Sequence, residues 1–192
     1  MSITHSGKRR SFYGWGYADE QVGADEMGWF ENTWSKLFKV DRFDPAPMPV
    51  EADIALRPSR VSIPASLQAY CTDDRYERLY HTYGRSVHDL ARMIHRRDFS
   101  NPPDIVAFPR NETEVADLLD WCGSNGYAAV PFGGGSSVTG GVNHTRDERY
   151  KGLVTIDLCR MDKVLEVDKV SQAARIQAGV LGPDMERQLA PT

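Results

Sequence analysis

The run Phe132-Gly133-Gly134-Gly135-Ser136-Ser137-Val138-Thr139-Gly140-Gly141 brings together the two things a phosphate site needs. Its glycines let the backbone come close to a ligand and take positive φ, so that successive N–H groups can point into one concavity. Ser136, Ser137 and Thr139 add hydroxyl donors to those amides. A glycine run alone reads equally well as a flexible surface loop. The apolar stretch before it and the interleaved hydroxyls favour a phosphate or pyrophosphate ligand.

The two commonest nucleotide loops do not fit. Gly135 and Gly140 have the spacing of a Walker A loop, but Gly141-Val142 stands where Lys-Ser/Thr is required, so the cation for a triphosphate is missing. Gly133 and Gly135 match the start of a Gly-x-Gly-x-x-Gly fingerprint, but Val138 occupies the third position. The next residues, Val142-Asn143-His144-Thr145-Arg146-Asp147, are polar rather than the amphipathic helix such a motif opens.

Other reactive side chains carry weaker signals. His81, His88 and His95 recur every seven residues. On a helix such neighbours lie about 10 Å apart along the axis, too far to share one ion, so no metal site is expected. His144 comes after the loop within a polar stretch and is expected on its surface. Cys71, Cys122 and Cys159 are scattered without metal-ligand spacing, as reduced structural thiols would be. No pair of acidic residues suggests acid–base catalysis.

The chain has 192 residues, 41% of them hydrophobic and 26% charged, with a formal net charge of −4. This is the composition of a globular protein, without the basic excess that nucleic acid or an acidic membrane calls for. Lys8-Arg9-Arg10 and Arg96-Arg97 are short enough to read as solvated charge. Residues 1–6 lack the apolar core of a signal peptide, and no apolar run has the length of a membrane span. The expectation is a cytoplasmic protein.

Two regions position the loop. Residues 1–100 are rich in Trp and Pro, with an extended stretch over 44–49 where Pro45, Pro47 and Pro49 disfavour helix. A helix is expected over 73–97, interrupted at Gly84, with Val87, Leu90, Ala91 and Ile94 as its buried stripe. This front segment is expected to wrap onto the domain after it, anchored by Trp15, Trp29 and Trp34.

Residues 101–192 are more regular. A strand over 104–108 leads into a helix with Asn111 and Glu114 as a capping box and with Val115, Leu118, Leu119 and Cys122 on one face. That helix is expected to stop in Gly123-Ser124-Asn125-Gly126, where glycine or asparagine can take the left-handed cap, and a strand over 127–132 completes a β-α-β unit with parallel strands and a right-handed crossover. A further strand over 152–158, a hairpin of 163–168 with 173–178, and a helix opened by Pro183 come next. The fold class is α+β: a helical and irregular front segment packed on an α/β subdomain.

With these elements in place, Pro103-Asp104-Ile105-Val106, Pro109, the capped helix and Pro131-Phe132-Gly133-Gly134-Gly135-Ser136-Ser137-Val138 together resemble the FAD-binding domain of the vanillyl-alcohol oxidase and p-cresol methylhydroxylase superfamily. Leu153 to Leu158, Met161 to Asp168 and Ala178 to Glu186 are similar to its next elements. Gly14-Trp15-Gly16-Tyr17, and Arg78-Leu79-Tyr80-His81-Thr82-Tyr83-Gly84 with His88, resemble the alkyldihydroxyacetonephosphate synthase branch.

The resemblance implies noncovalent FAD. Its pyrophosphate would lie on Pro131, Phe132, Gly133, Gly134, Gly135, Ser136, Ser137, Val138, Gly140 and Gly141. It also implies a parent enzyme that either exchanges an acyl chain for a fatty alcohol in ether-lipid synthesis or oxidises 2-hydroxy acids such as glycolate or D-lactate, with a homodimer as an open expectation. The family's second FAD subdomain, cap domain and C-terminal tyrosine and histidines have no counterpart in these residues. The chain alone is therefore expected to bind FAD weakly and to turn nothing over. The alternative from a different class is a noncatalytic module that binds a nucleotide or pairs with a partner subunit.

Overall fold

A computed structural model describes residues 8–20, 22–41, 43, 46–144 and 147–191. The expectations for residues 1–6, Asp44, Pro45, Thr145 and Arg146 therefore lie outside the described residues. The architecture is mixed α+β, around a four-stranded sheet in which β2 (Ile105–Ala107) and β3 (Tyr127–Phe132) both run parallel to β4 (Gly152–Asp157), which lies between them. The short β1 (Cys71–Thr72) adds to the free side of β2, antiparallel. The helix α4 (Glu112–Asn125) joins β2 to β3, so the expected β-α-β unit is present with a third strand inserted between its two.

Local rules account for the ends of α4. Asn111 Oδ1 accepts the Glu114 N–H at 2.9 Å, and Gly126 closes the helix in the left-handed conformation with φ 70°. Glu114 does not complete a capping box. Its carboxylate instead receives the N–H and guanidinium of Arg110. Leu118 and Cys122 are the buried pair of α4, while Leu119 is half exposed, contrary to expectation. Trp121 takes that place against the core and meets Tyr127 edge-on at 5.2 Å.

Side chains alternate across a strand, and here both faces of the sheet are covered. Ile105, Ala107, Val154 and Ile156 join Leu118, Cys122, Val61, Leu67 and Tyr70 in one cluster. The opposite face carries Thr155, Asp157 and Phe132, and Phe132 belongs to a second cluster with Leu79, Tyr80, Tyr83, Met93 and Phe12. All six residues of β4 are buried, as a strand covered on both sides requires. Beyond the sheet, β5 (Val164–Asp168) and β6 (Ala173–Ile176) form the expected hairpin, and α5 (Gly182–Leu189) opens with Pro183 in its first turn.

The front segment wraps onto this core as its sequence suggests, but by different residues. Phe12, Ile54, Val61 and Leu67 are buried, whereas Trp15 and Trp29 are 60% and 68% exposed. Within α1 (Ala24–Phe38), Trp34 packs on its own helix, 5.4 Å from Phe38 and 5.6 Å from Phe30, and no residue of α1 is buried. Asp104 ties front to sheet. It is fully buried, receives Arg57, the Arg60 guanidinium at 2.7 Å, and the N–H groups of Arg60 and Leu153. Burial alone would raise this carboxyl, but the two arginines and the backbone donors hold it well below the ordinary carboxylate range. The run Lys8-Arg9-Arg10 is not simply solvated, since Arg9 stacks over the Tyr76 ring at 3.4 Å and Arg10 is half-buried.

Between residues 73 and 97 the chain forms two helices, α2 (Arg75–Tyr80) and α3 (Val87–Arg96), broken around Gly84 as expected. The buried stripe of α3 differs from the expected one. Asp89 and Met93 face inward, Ala91 is exposed, and Val87 is 83% exposed. The helix is rotated because its inner face answers a polar partner from the loop beyond β3.

Candidate functional site

The glycine-rich loop leaves the C-terminal end of β3, where open parallel sheets place their ligands. Phe132 is its floor: the ring is buried, 4.5 Å from the His81 ring and 5.8 Å from Tyr80. Gly135 sits on that floor at φ 68°, and a Cβ there would stand 2.8 Å from Phe132 Cζ. Gly135 is therefore glycine for two reasons, conformation and contact. Gly140 also has positive φ, at 75°.

The loop is latched from outside. The Gly135 carbonyl accepts the Arg85 N–H at 2.7 Å, and Gly84 lies so close that an added Cβ would be 3.0 Å from the same oxygen. Asn143 Oδ1 accepts the Gly84 N–H at 2.9 Å, and Asn143 Nδ2 donates to Asp89 Oδ1 at 2.9 Å. Ser86 caps α3, accepting the Asp89 N–H, and its hydroxyl donates to Asp89 Oδ2 at 2.8 Å. The break between α2 and α3 thus serves as a socket for the loop. At the loop's far end, Ser137 Oγ accepts the Gly141 N–H at 2.8 Å.

Latched in this way, the loop keeps its donors unused. Among the described residues, the backbone N–H groups of residues 133–140 donate to no protein acceptor. These eight consecutive amides, with the Ser136 and Thr139 hydroxyls, are open to solvent or to a ligand. No lysine or arginine lies in the loop itself. Val138, at 85% exposed, caps its outer side.

Charge lies beneath and beside this loop. Arg85 is 3% exposed, its guanidinium donates to the carbonyls of Ser11, Gly14, Tyr80, Tyr83 and Gly84, and it stacks on Tyr80 at 4.5 Å. Burial pushes this guanidinium below its ordinary value. At the end of β4, Asp157 accepts from His81 Nε2 at 2.9 Å, while His81 Nδ1 faces the Glu77 carbonyl at 2.7 Å.

The histidines therefore go to separate surroundings. His81 is buried in that pair, while His88 and His95 are exposed. His144 corrects the sequence reading, being only 4% exposed, with Nε2 3.0 Å from Thr155 Oγ1. Burial, with His81 nearby, pushes its pKa down to about 4. Among the described residues no group of three or more His, Cys, Asp or Glu could hold a metal ion. Cys71 and Cys122 are buried free thiols, raised by burial to about 12 and about 11.

Arg85, Asn143 and Asp89 were not singled out by sequence. Only one signal was legible, Ser86 three residues before Asp89 at a helix start.

The chain is similar to several known proteins. Residues 103–192 match the family model described as FAD binding domain. The chain is similar to alkyldihydroxyacetonephosphate synthase of Dictyostelium discoideum, 38% identical over 117 residues, which cover 61% of this chain and 19% of that protein. It is similar also to the mitochondrial D-lactate dehydrogenase (cytochrome) of Saccharomyces cerevisiae, 34% identical over 89 residues, covering 46% of this chain and 15% of that one. A solved structure of alkyldihydroxyacetonephosphate synthase superposes with a TM-score of 0.76 at 27% identity, over 94% of this chain and 37% of the other. The chain thus spans about a fifth of the length of the curated synthase, and the cofactor of the matched region is FAD.

Proposed function

We propose that the chain is the diphosphate-gripping part of an FAD enzyme of alkyldihydroxyacetonephosphate synthase type. The observation that supports this most directly is the row of eight amides at the end of β3 that donate to no acceptor among the described residues, inside the region matched to an FAD-binding domain. Residues 133–138 with Gly140 and Gly141 would hold the pyrophosphate noncovalently, Pro131 would lead into the loop, and Phe132 would set its height from below. When bound, the flavin supplies the electron-accepting ring on which the parent enzyme's chemistry rests.

The chain's own residues hold and orient. The amides and hydroxyls would fix the cofactor's anionic centre, and the contacts of Gly84 and Arg85 with Asn143 and Gly135 hold the loop in place before any ligand arrives. This preorganisation lowers the ordering cost of binding. The parent protein's reaction would be the exchange of an acyl chain for a fatty alcohol. The greater identity and coverage of the synthases favour that over oxidation of 2-hydroxy acids. No helix of the described residues is long and apolar enough to cross a membrane, in keeping with the proposed cytoplasmic setting.

The test is a titration of the purified chain with FAD, followed by flavin fluorescence, with inorganic pyrophosphate as competitor. Saturable binding that pyrophosphate displaces, without turnover, is expected. A flavin signal that never saturates would sink the reading.

A further inference from the structure

The glycine loop has no cation of its own, yet one stands across a cleft from it. Residues 9–18 fold back as a strap: the Ser11 N–H donates to the Gly16 carbonyl at 3.0 Å, the Ala18 N–H donates to the Arg9 carbonyl at 2.7 Å, and Gly16 turns at φ 76°. The strap is pinned by Phe12 in the core, by the Tyr76 hydroxyl donating to the Arg10 carbonyl, and by Arg85 reaching the Ser11 and Gly14 carbonyls. Between strap and loop lies a cleft of about 180 Å³, walled by Arg10, Trp15, Tyr17, Tyr80, Arg85 and Gly134.

The two arginines in this cleft differ. All the donors of Arg85 are engaged by main-chain carbonyls, and no carboxylate forms an ion pair with it among the described residues. Among the described residues Arg10 makes a single side-chain hydrogen bond, from Nη1 to the Tyr80 hydroxyl at 3.4 Å, which leaves most of its fork unengaged by them. The acid that acts on it, Asp157, is already paired with His81. A half-buried guanidinium with open donors, in one cleft with a second buried cation and with Gly134 of the glycine loop, is a site for a phosphoryl anion.

We propose that the strap is the second wall of the phosphate site, with Arg10 as the charged ligand that the loop lacks and Arg85 as fixed charge beneath it. The inference rests on the proposed reading of the loop as a diphosphate site. It extends that reading to the front segment, outside the region matched to the FAD-binding domain. The anion could be the cofactor's diphosphate or the phosphate of a phosphorylated substrate.

The test compares the chain with its Arg10→Gln variant, each titrated with FAD, riboflavin and inorganic pyrophosphate, and with glycerol 3-phosphate at saturating FAD. If the cofactor is the source, Arg10→Gln weakens FAD and pyrophosphate by at least ten-fold, equivalent to ~1.4 kcal/mol, and leaves riboflavin unchanged. If a substrate is the source, only glycerol 3-phosphate weakens. Unchanged affinity for all three phosphorylated probes in a folded variant overturns the inference while leaving the FAD reading intact. Pyrophosphate binding that depends on Arg10, in a chain that ignores FAD, does the reverse. Should the variant not fold, phenylglyoxal labelling of the unaltered chain decides the matter: saturating pyrophosphate, or glycerol 3-phosphate with FAD, should protect Arg10, and equal labelling with and without them refutes the proposal.

Discussion

Alanine at Gly135 should cost the fold about 3 kcal/mol, while alanine at Gly133 or Gly134 should cost it almost nothing. Gly135 has φ 68°, where a residue with a Cβ loses ~1–2 kcal/mol. Its new methyl would stand 2.8 Å from Phe132 Cζ, and that ring is wedged against His81 and Tyr80 and cannot retreat. Overpacking of this kind costs a further ~1–3 kcal/mol. Around Gly133 there is nothing within 4 Å, and around Gly134 only Leu181 Cδ2 at 3.9 Å.

Urea denaturation followed by tryptophan fluorescence reads the difference. With a slope of ~2 kcal/mol/M, the Gly135→Ala midpoint should fall by about 1.5 M, and the other two should stay within error. The same three variants then separate folding from binding. Gly133→Ala and Gly134→Ala should keep their stability yet weaken FAD, because a methyl on the open face blocks close approach of the phosphate. Equal midpoints for all three, or a Gly135→Ala variant within ~0.5 kcal/mol of the parent, would refute this account of the loop.

Asn143→Ala removes the acceptor of the Gly84 N–H and one donor to buried Asp89, and should destabilise by ~2–3 kcal/mol in the same assay. His144 gives a pH dependence. Its folded value of about 4 lies below the ordinary 6.5, so the unfolded chain binds the extra proton first. Its contribution is intact above pH ~6.5 and falls by ~3 kcal/mol as the pH drops towards about 4; His144→Leu should flatten that slope in urea midpoints taken across the range. Asp104→Ala leaves Arg57 and Arg60 without their buried partner and should cost ~3–5 kcal/mol, seen as a large loss of Tm. Trp29→Ser, on the exposed face of α1, should shift the urea midpoint by less than the equivalent of ~0.5 kcal/mol.

The readable parts of the fold were those governed by neighbours in sequence. Asn111 and Gly126 mark the ends of α4 by capping chemistry that acts within four residues, and Tyr127–Phe132 coincides with its expected strand. The glycine run was legible too, as a loop that follows the strand Tyr127–Phe132. The misread parts were set by distant partners. The inward turn of Asp89 is dictated by Asn143, 54 residues on, and apolar periodicity favoured Val87 and Ala91 because it does not register a polar core contact. His144 looked like surface within a polar stretch, yet Thr155 draws it inside. Trp34 has the composition of an anchor, but it packs on Phe30 and Phe38 of its own helix, and Trp29 stays exposed.

That same remoteness has a kinetic consequence. Gly84 meets Asn143 across 59 residues, and Arg85 reaches Ser11 across 74 and Gly14 across 71. Contacts of such separation close large loops of chain, and their entropic cost falls on the steps that form them. The expected order is therefore that the loop docks late, after the locally encoded helices, with its latch formed beyond the transition state. Loosening the latch, as in Asn143→Ala, should accelerate unfolding and leave refolding nearly unchanged, so that stopped-flow rates would date the birth of the site within the folding of the chain.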